Sequence, residues 1–241
     1  MERIDILYRN RFPEADRRAK ERVWQVLCER FFQRYVRETD TVLDLACGFG
    51  EFIRFIRAQK KIAVDFNPDV ASFLPPEVEF HLGQAQEMDF LASGSIDVCF
   101  TSNFFEHLPS KQVLDKVLTE VHRVLCPGGL VVALQPNIKY AAGAYWDFYD
   151  HYLPLSHLSC AEAFAKTGFE VIELVGRFLP FTTRSSLPQH PLLVRWYLLV
   201  RPVWWLLGRQ FLIVGRKPMS NHPAEGSQEL PLSDPTSPGS S

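Results

Sequence analysis

The sequence lacks any apolar run long enough to cross a bilayer unbroken. The longest candidate, residues 192–208, is interrupted by Arg195, Arg201 and Pro202, whereas a spanning helix needs about 20 predominantly apolar residues. It lacks an excess of either charge: 26 lysines and arginines stand against 28 acids, a net of −2, so no global field argues for a nucleic-acid partner. Paired cysteines are missing too. Cys28, Cys47, Cys99, Cys126 and Cys160 are odd in number, scattered, and form no C-x-x-C pair, which suggests neither a disulfide frame nor a zinc site. The opening residues Met1 to Asp5 carry acids and no apolar stretch, so a secretory signal is not expected and a cytoplasmic location is. No internal repeat is visible.

What is present is an alternation of elements. Of 241 residues, 46% are hydrophobic, enough for one domain with a sizeable core. Val23, Val26, Leu27, Phe31, Tyr35 and Val36 share a face and predict a helix over 15–37. Strands are expected at 42–46, 62–65, 78–82, 96–102, 130–135, 169–175 and 211–214. Helices are expected from the residues after Gly50 to Ala58, over 110–125 behind a Ser110 cap, and over 159–167 up to Gly168. Asn67-Pro68-Asp69 predicts a capped turn, and Pro127-Gly128-Gly129 a turn into the fifth strand. The expected fold class is α/β, a doubly wound and mostly parallel seven-stranded sheet, filling residues 1–216 as a single domain with a helical cap over 1–40. Residues 217–241, rich in Pro, Ser, Gly and Glu, predict a disordered tail.

The motif that carries chemistry is Val42-Leu43-Asp44-Leu45-Ala46-Cys47-Gly48-Phe49-Gly50-Glu51-Phe52. A short apolar strand enters two glycines and a helical pattern follows. Glycine at 48 and 50 lets the backbone approach a ligand that a Cβ would block, and a helix start offers N–H groups to it. A second acid, Asp65, ends the next strand about 20 residues after Asp44, the spacing of a strand–helix–strand unit. Together these residues resemble the class I S-adenosylmethionine-dependent methyltransferases, over roughly residues 38–176. A nicotinamide-type site is the competing reading, but it wants a small residue where Ile53 stands and has no use for an acid at 44.

The resemblance implies a Rossmann-like methyltransferase fold whose last strand runs antiparallel, with S-adenosylmethionine as cofactor. It implies further that Asp65 holds the ribose hydroxyls, that Gln84 and Ala85 meet adenine where relatives usually place an acid, and that Asn103 lies beside the methionine end. Asp44 suits the amino group, directly or through water, or else is a carboxylate tied to backbone amides. Ala46, Cys47, Gly48 and Gly50 face the carboxylate and sugar, and Phe66 offers an apolar wall. Cys47 is read as a small turn residue and not as a nucleophile.

For a base toward the acceptor the candidates are Glu106, His107 and the aromatic stretch 146–152, with His157 beyond it. His151 is favoured, oriented by Asp147 or Asp150. Some methyltransferases bind a divalent ion through Glu-x-x-Glu-His after the fourth strand. Here Asn103 replaces the first acid, so no metal is expected.

An insertion at 177–209 separates the last two strands. No acid occurs from Arg177 to Lys217, while arginines recur at 177, 184, 195, 201, 209 and 216. Arginine with Trp204 and Trp205 on a mostly apolar segment suits either a membrane interface or a covering helix or subunit contact. The expected function is methyl transfer to a small-molecule, glycan or lipid-linked acceptor, with possible peripheral attachment to the cytoplasmic membrane face. An inactive cofactor-binding module of the same fold and a protein acceptor stand as alternatives. No Asn/Asp-Pro-Pro-aromatic motif follows the fourth strand, which argues against DNA base methylation.

Overall fold

The computed structural model describes residues 14–180 and 190–219. Met1–Asp5, residues 181–189 of the insertion (Arg184 included) and residues 220–241 of the tail lie outside them. The elements are α1 (Glu14–Arg30), β1 (Thr41–Leu45), α2 (Glu51–Phe55), β2 (Lys60–Asp65), β3 (Val78–Leu82), β4 (Ile96–Ser102), α3 (Lys111–Val124), β5 (Leu125–Pro136), α4 (Ile138–Ala141), α5 (His157–Lys166), β6 (Glu170–Val175), α6 (Pro191–Leu199), α7 (Arg201–Leu207) and β7 (Gln210–Arg216).

All seven strands form one sheet in the order β3-β2-β1-β4-β5-β7-β6. Six run in one direction, and β7 runs against them, pairing antiparallel with both β5 and β6, as the resemblance implies. The order reverses between β1 and β4. Beyond the carboxyl ends of these two strands opens the crevice where such sheets take their ligands.

Strand alternation sorts the core into two layers. Leu43, Leu45, Cys99, Val131 and Ile213 face α3 and α5, against Leu114, Val117, Leu118, Val121, Cys160 and Phe164. Val42, Ala63, Val98, Phe100, Val132 and Leu212 face α1, α2 and the insertion. Phe52 stacks on Phe100 with centroids 3.7 Å apart, and Trp24 meets the same ring edge-on at 6.0 Å. Packing of this kind is worth about 0.5–1.5 kcal/mol per pair beyond its burial.

Several expected boundaries move. The first helix ends at Arg30 and passes into a 3-10 turn over Phe32–Tyr35, because Phe31 and Phe32 both turn into the core. The helix after the glycine loop is five residues long and ends at Phe55, not at Ala58. Pro127-Gly128-Gly129 does not separate a helix from a later strand: β5 already begins at Leu125. Lys217, taken as the start of the tail, explains this, since Gly128 N–H donates to its carbonyl (2.8 Å) and its own N–H donates to the Gly129 carbonyl (2.9 Å). Lys217 is therefore tied into the sheet.

The insertion breaks into two helices at Val200, ahead of Pro202, which has no N–H to continue the ladder. Its inner side is core: Tyr197 and Trp204 are buried, Tyr197 Oη donates to the Phe178 carbonyl (2.6 Å), and Phe31 contacts both Phe178 and Trp204. Its outer side leaves Leu192, Leu193, Trp196, Leu199, Trp205 and Leu206 exposed, Leu199 at 82%. Among the described residues, no helix is long and apolar enough to cross a membrane.

Candidate functional site

The glycine loop sits at the carboxyl end of β1, and its geometry is set by positive φ at three successive points: Ala46 (56°), Gly48 (54°) and Gly50 (72°). A Cβ on Gly48 would meet nothing within 4 Å, whereas one on Gly50 would run into Leu74 Cδ2. Gly48 thus keeps space open for a ligand, and Gly50 admits Leu74. The amides of this loop are not the free donors expected. Ala46 and Cys47 N–H both donate to the Val64 carbonyl (2.8 and 3.3 Å), and Gly50 N–H to the Cys47 carbonyl (2.9 Å). Gly48 N–H donates to Asp65 Oδ2 (3.0 Å). The loop supplies room more than hydrogen bonds, and α2 is too short to act as a helix-end site.

Asp44 is buried and accepts from Ile53 N–H (3.2 Å) through Oδ2. It stands on the α1/α2 face, where burial pushes its carboxyl up and the Ile53 amide pulls it back. Its first task is to tie β1 to α2, the backbone-bound reading. Asp65 is buried at the tip of β2, with Oδ2 on Gly48 N–H and Oδ1 on Asn67 N–H (2.9 Å). Desolvation raises its carboxyl, and these amides oppose the rise. Each oxygen keeps a second lone pair. Phe66 projects beside it, 56% exposed. Gln84 is exposed and pairs with Gln86, while Ala85 is buried under the same edge. Cys47 is buried, and desolvation raises its thiol.

Asn103 has a left-handed backbone, φ 48°. Its Oδ1 accepts from Gln210 Nε2 (2.6 Å), and its N–H donates to the Leu134 carbonyl. Gln135, which sequence reasoning missed, uses Oε1 to accept from Phe104 and Phe105 N–H (3.0 and 3.2 Å) and so shapes the loop after β4. A polar residue at the end of an otherwise apolar strand was its only signal.

That loop carries Glu106 and His107 to the segment holding His151. One ligand-type atom from each of the three lies within 4.8 Å of the others. Tyr152 and Leu153 N–H both donate to the Glu106 carbonyl (2.7 and 3.1 Å), which pins the two segments together. Glu106 is buried, and desolvation lifts its carboxyl to about 7 against the pull of His107. His107 Nδ1 lies 2.9 Å from the Asp150 carbonyl and 3.4 Å from its Oδ2. The orienting acid is therefore Asp150, and it acts on His107; Asp147 is exposed. His151 is buried between Phe148, stacked at 4.8 Å, and Tyr145 at 4.7 Å. His157 is not part of this group. Asn137 Nδ2 donates to its Nδ1 (2.9 Å), and its ring fills the space over Gly176, a packing role.

A parallel sheet with this strand order, an open glycine turn on β1 and an acid closing β2 define the Rossmann-like fold of the class I methyltransferases. The residues fit the cofactor of that class: Gly48 leaves a hollow, Asp65 offers lone pairs and Phe66 an open aromatic face. Residues 43–133 match the family described as "Methyltransferase domain". The chain is 26% identical to the LtbC methyltransferase of Aspergillus luteorubrus over 118 residues, 42% of this chain and 41% of that protein. It is 30% identical to the ubiquinone/menaquinone biosynthesis C-methyltransferase UbiE of Campylobacter jejuni over 143 residues, 53% of this chain and 59% of that protein. The chain thus spans about half the length of the curated relatives it matches. An S-adenosylmethionine-dependent methyltransferase from Archaeoglobus fulgidus shares the fold with a TM-score of 0.61 at 20% identity, covering 80% of this chain and 92% of that one. Residues 43–133 thus carry a methyltransferase domain on the fold of the S-adenosylmethionine-dependent methyltransferases, and S-adenosylmethionine is the cofactor that domain implies. The nicotinamide alternative falls away.

Proposed function

We propose that the chain transfers a methyl group from S-adenosylmethionine to an amphipathic small-molecule, glycan or lipid-linked acceptor met at the cytoplasmic face of a membrane. The observation that carries this reading is the Glu106–His107–His151 group at the same sheet edge as the donor loop, among exposed Trp146, Tyr149 and Tyr152. Bound cofactor supplies an electrophilic methyl on a sulfonium. The chain's part is to align an acceptor opposite it and exclude water, which can contribute as much as about 7–11 kcal/mol. A buried imidazole such as His151 can take the proton of a hydroxyl acceptor.

Exposed apolar residues of α6 and α7 beside Arg195, Arg201 and Arg209 support shallow seating in an anionic interface. The relative named for ubiquinone/menaquinone biosynthesis is in keeping with an amphipathic acceptor. The test is release of demethylated cofactor by the purified chain across quinone, glycolipid and polyprenyl-linked sugar acceptors, with and without anionic vesicles. Turnover with one of these, stimulated by vesicles, is expected. Cofactor binding without turnover on any of them favours the inactive-module reading, and turnover only on polypeptides favours a protein acceptor.

A further inference from the structure

We propose that Glu106, His107 and His151 bind a divalent first-row transition-metal ion, zinc in the first instance. One donor atom of each lies within 4.8 Å of the other two, close enough for small side-chain rotations to bring all three onto one ion. Glu106 supplies an independent sign of a ligand. It is 3% exposed, and its Oε2 finds no hydrogen-bond partner among the described residues. A buried carboxylate oxygen without a partner is costly, and a cation in the group removes that cost.

The surroundings of the two rings point the same way. His107 Nδ1 lies 2.9 Å from the Asp150 carbonyl. A carbonyl only accepts, so Nδ1 carries the hydrogen and the lone pair of this ring sits on Nε2. Metal-binding histidines are commonly oriented through such a bond from the other ring nitrogen. Phe148 and Tyr145 wall the His151 ring on two sides and fix its plane. The hydrogen bonds from Tyr152 and Leu153 to the Glu106 carbonyl hold the two ligand-bearing segments in register without using the carboxylate.

Donor chemistry selects the ion. Magnesium and calcium favour shells made of oxygen, and two imidazoles with one carboxylate suit zinc or a neighbouring transition metal. Three protein ligands leave a coordination position open, the pattern of a catalytic site and not of a closed structural one. The missing acid at Asn103 argued against a metal in the sequence; His151, from a separate segment, brings a third donor to Glu106 and His107. An ion here would occupy the His151 lone pair and so replace that imidazole as the means of removing the acceptor proton, by holding and acidifying an oxygen ligand, a water or an acceptor hydroxyl. That use on the acceptor rests on the methyl-transfer reading; binding of the ion does not.

The experiment is zinc titration calorimetry on the full chain stripped with chelator, paired with visible spectra on cobalt(II) addition, with neither cofactor nor acceptor present. One ion per chain, with cobalt bands of an imidazole-containing four- or five-coordinate site, is expected. Glu106→Gln and His151→Asn should lose both signals while still binding S-adenosylmethionine, which shows they are folded. The pair His81→Asn with His122→Asn should leave zinc uptake unchanged. Natively folded wild-type chain that takes up no stoichiometric ion overturns the proposal, as does uptake that survives in Glu106→Gln and His151→Asn. Either result leaves the methyltransferase reading intact, because cofactor binding is measured separately.

Discussion

Gly48 N–H and Asp65 Oδ2 stand 3.0 Å apart, joining the turn after β1 to the tip of β2. The acid expected to hold the cofactor also holds the loop that makes room for it. Loss of Asp65 should therefore do two things at once. Asp65→Ala is expected to weaken S-adenosylmethionine at least 10-fold, about 1.4 kcal/mol, in calorimetric titration. Asp65→Asn, able to accept in one orientation, should lie between it and wild type. Equal affinity of Asp65→Ala and wild type would remove Asp65 from the donor site.

Gly48 and Gly50 should separate in their effects. Gly48→Val places a side chain in the open hollow and is expected to abolish cofactor binding, with about 1–2 kcal/mol of stability lost to its left-handed backbone. Gly50→Val strikes Leu74 as well as carrying the same strain, so its loss of stability should be the larger. Urea unfolding beside calorimetry distinguishes the two.

Glu106 sets a pH dependence in the ion-free protein. Its native carboxyl, at about 7 against the usual 4.5, binds its proton more tightly than in the unfolded chain. The stabilisation from this proton is full below about pH 4.5 and is lost as pH rises through about 7, on the order of 3 kcal/mol at most. His107 and Asp150 face the same carboxyl with opposite effects. With chelator present, wild-type stability should fall between pH 5 and 8 relative to Glu106→Gln, measured by urea denaturation; parallel curves for the two would exclude a raised native carboxyl.

Trp204 and Trp205 are adjacent in sequence and opposite in consequence. Trp204 is buried, its Nε1 donating to the Tyr197 carbonyl (2.7 Å), while Trp205 is 42% exposed. Trp204→Ala should cost about 3–5 kcal/mol. Trp196→Glu combined with Trp205→Glu should cost little stability and lower sedimentation with anionic vesicles. Unchanged sedimentation would end the interfacial role of this face.

The two buried histidines divide in the same way. His151→Asn is expected to suppress turnover with cofactor affinity retained, whereas His157→Ala should lower the melting temperature first, since it vacates the space between Asn137 and Gly176. Turnover assays with thermal melts on both variants check this. Full activity in folded His151→Asn would remove His151 from the reaction.

By itself the sequence determined the strand–turn–strand frame on which the donor site is expected. Strand, glycine turn and acid recur at spacings that one strand–helix–strand unit imposes, so Asp44, Gly48, Gly50 and Asp65 were legible from local pattern alone. The strand alternation was legible for the same reason, since buried parallel strands read as apolar runs. Local pattern could not show where each loop amide spends its hydrogen bond, and the structure turns Ala46, Cys47 and Gly50 inward to the loop and sheet. It also could not bring Glu106 and His107 to His151, some 45 residues away, or decide between His151 and His157. Those choices belong to the packing of separate segments at one sheet edge, where Asp150, Gln135 and the Glu106 carbonyl act through space. Nor could residue type tell that one side of the 177–209 insertion is core and the other faces outward. Period and hydrophobicity mark a buried stripe only when a helix is regular, and the break at Val200 resets which residues point in.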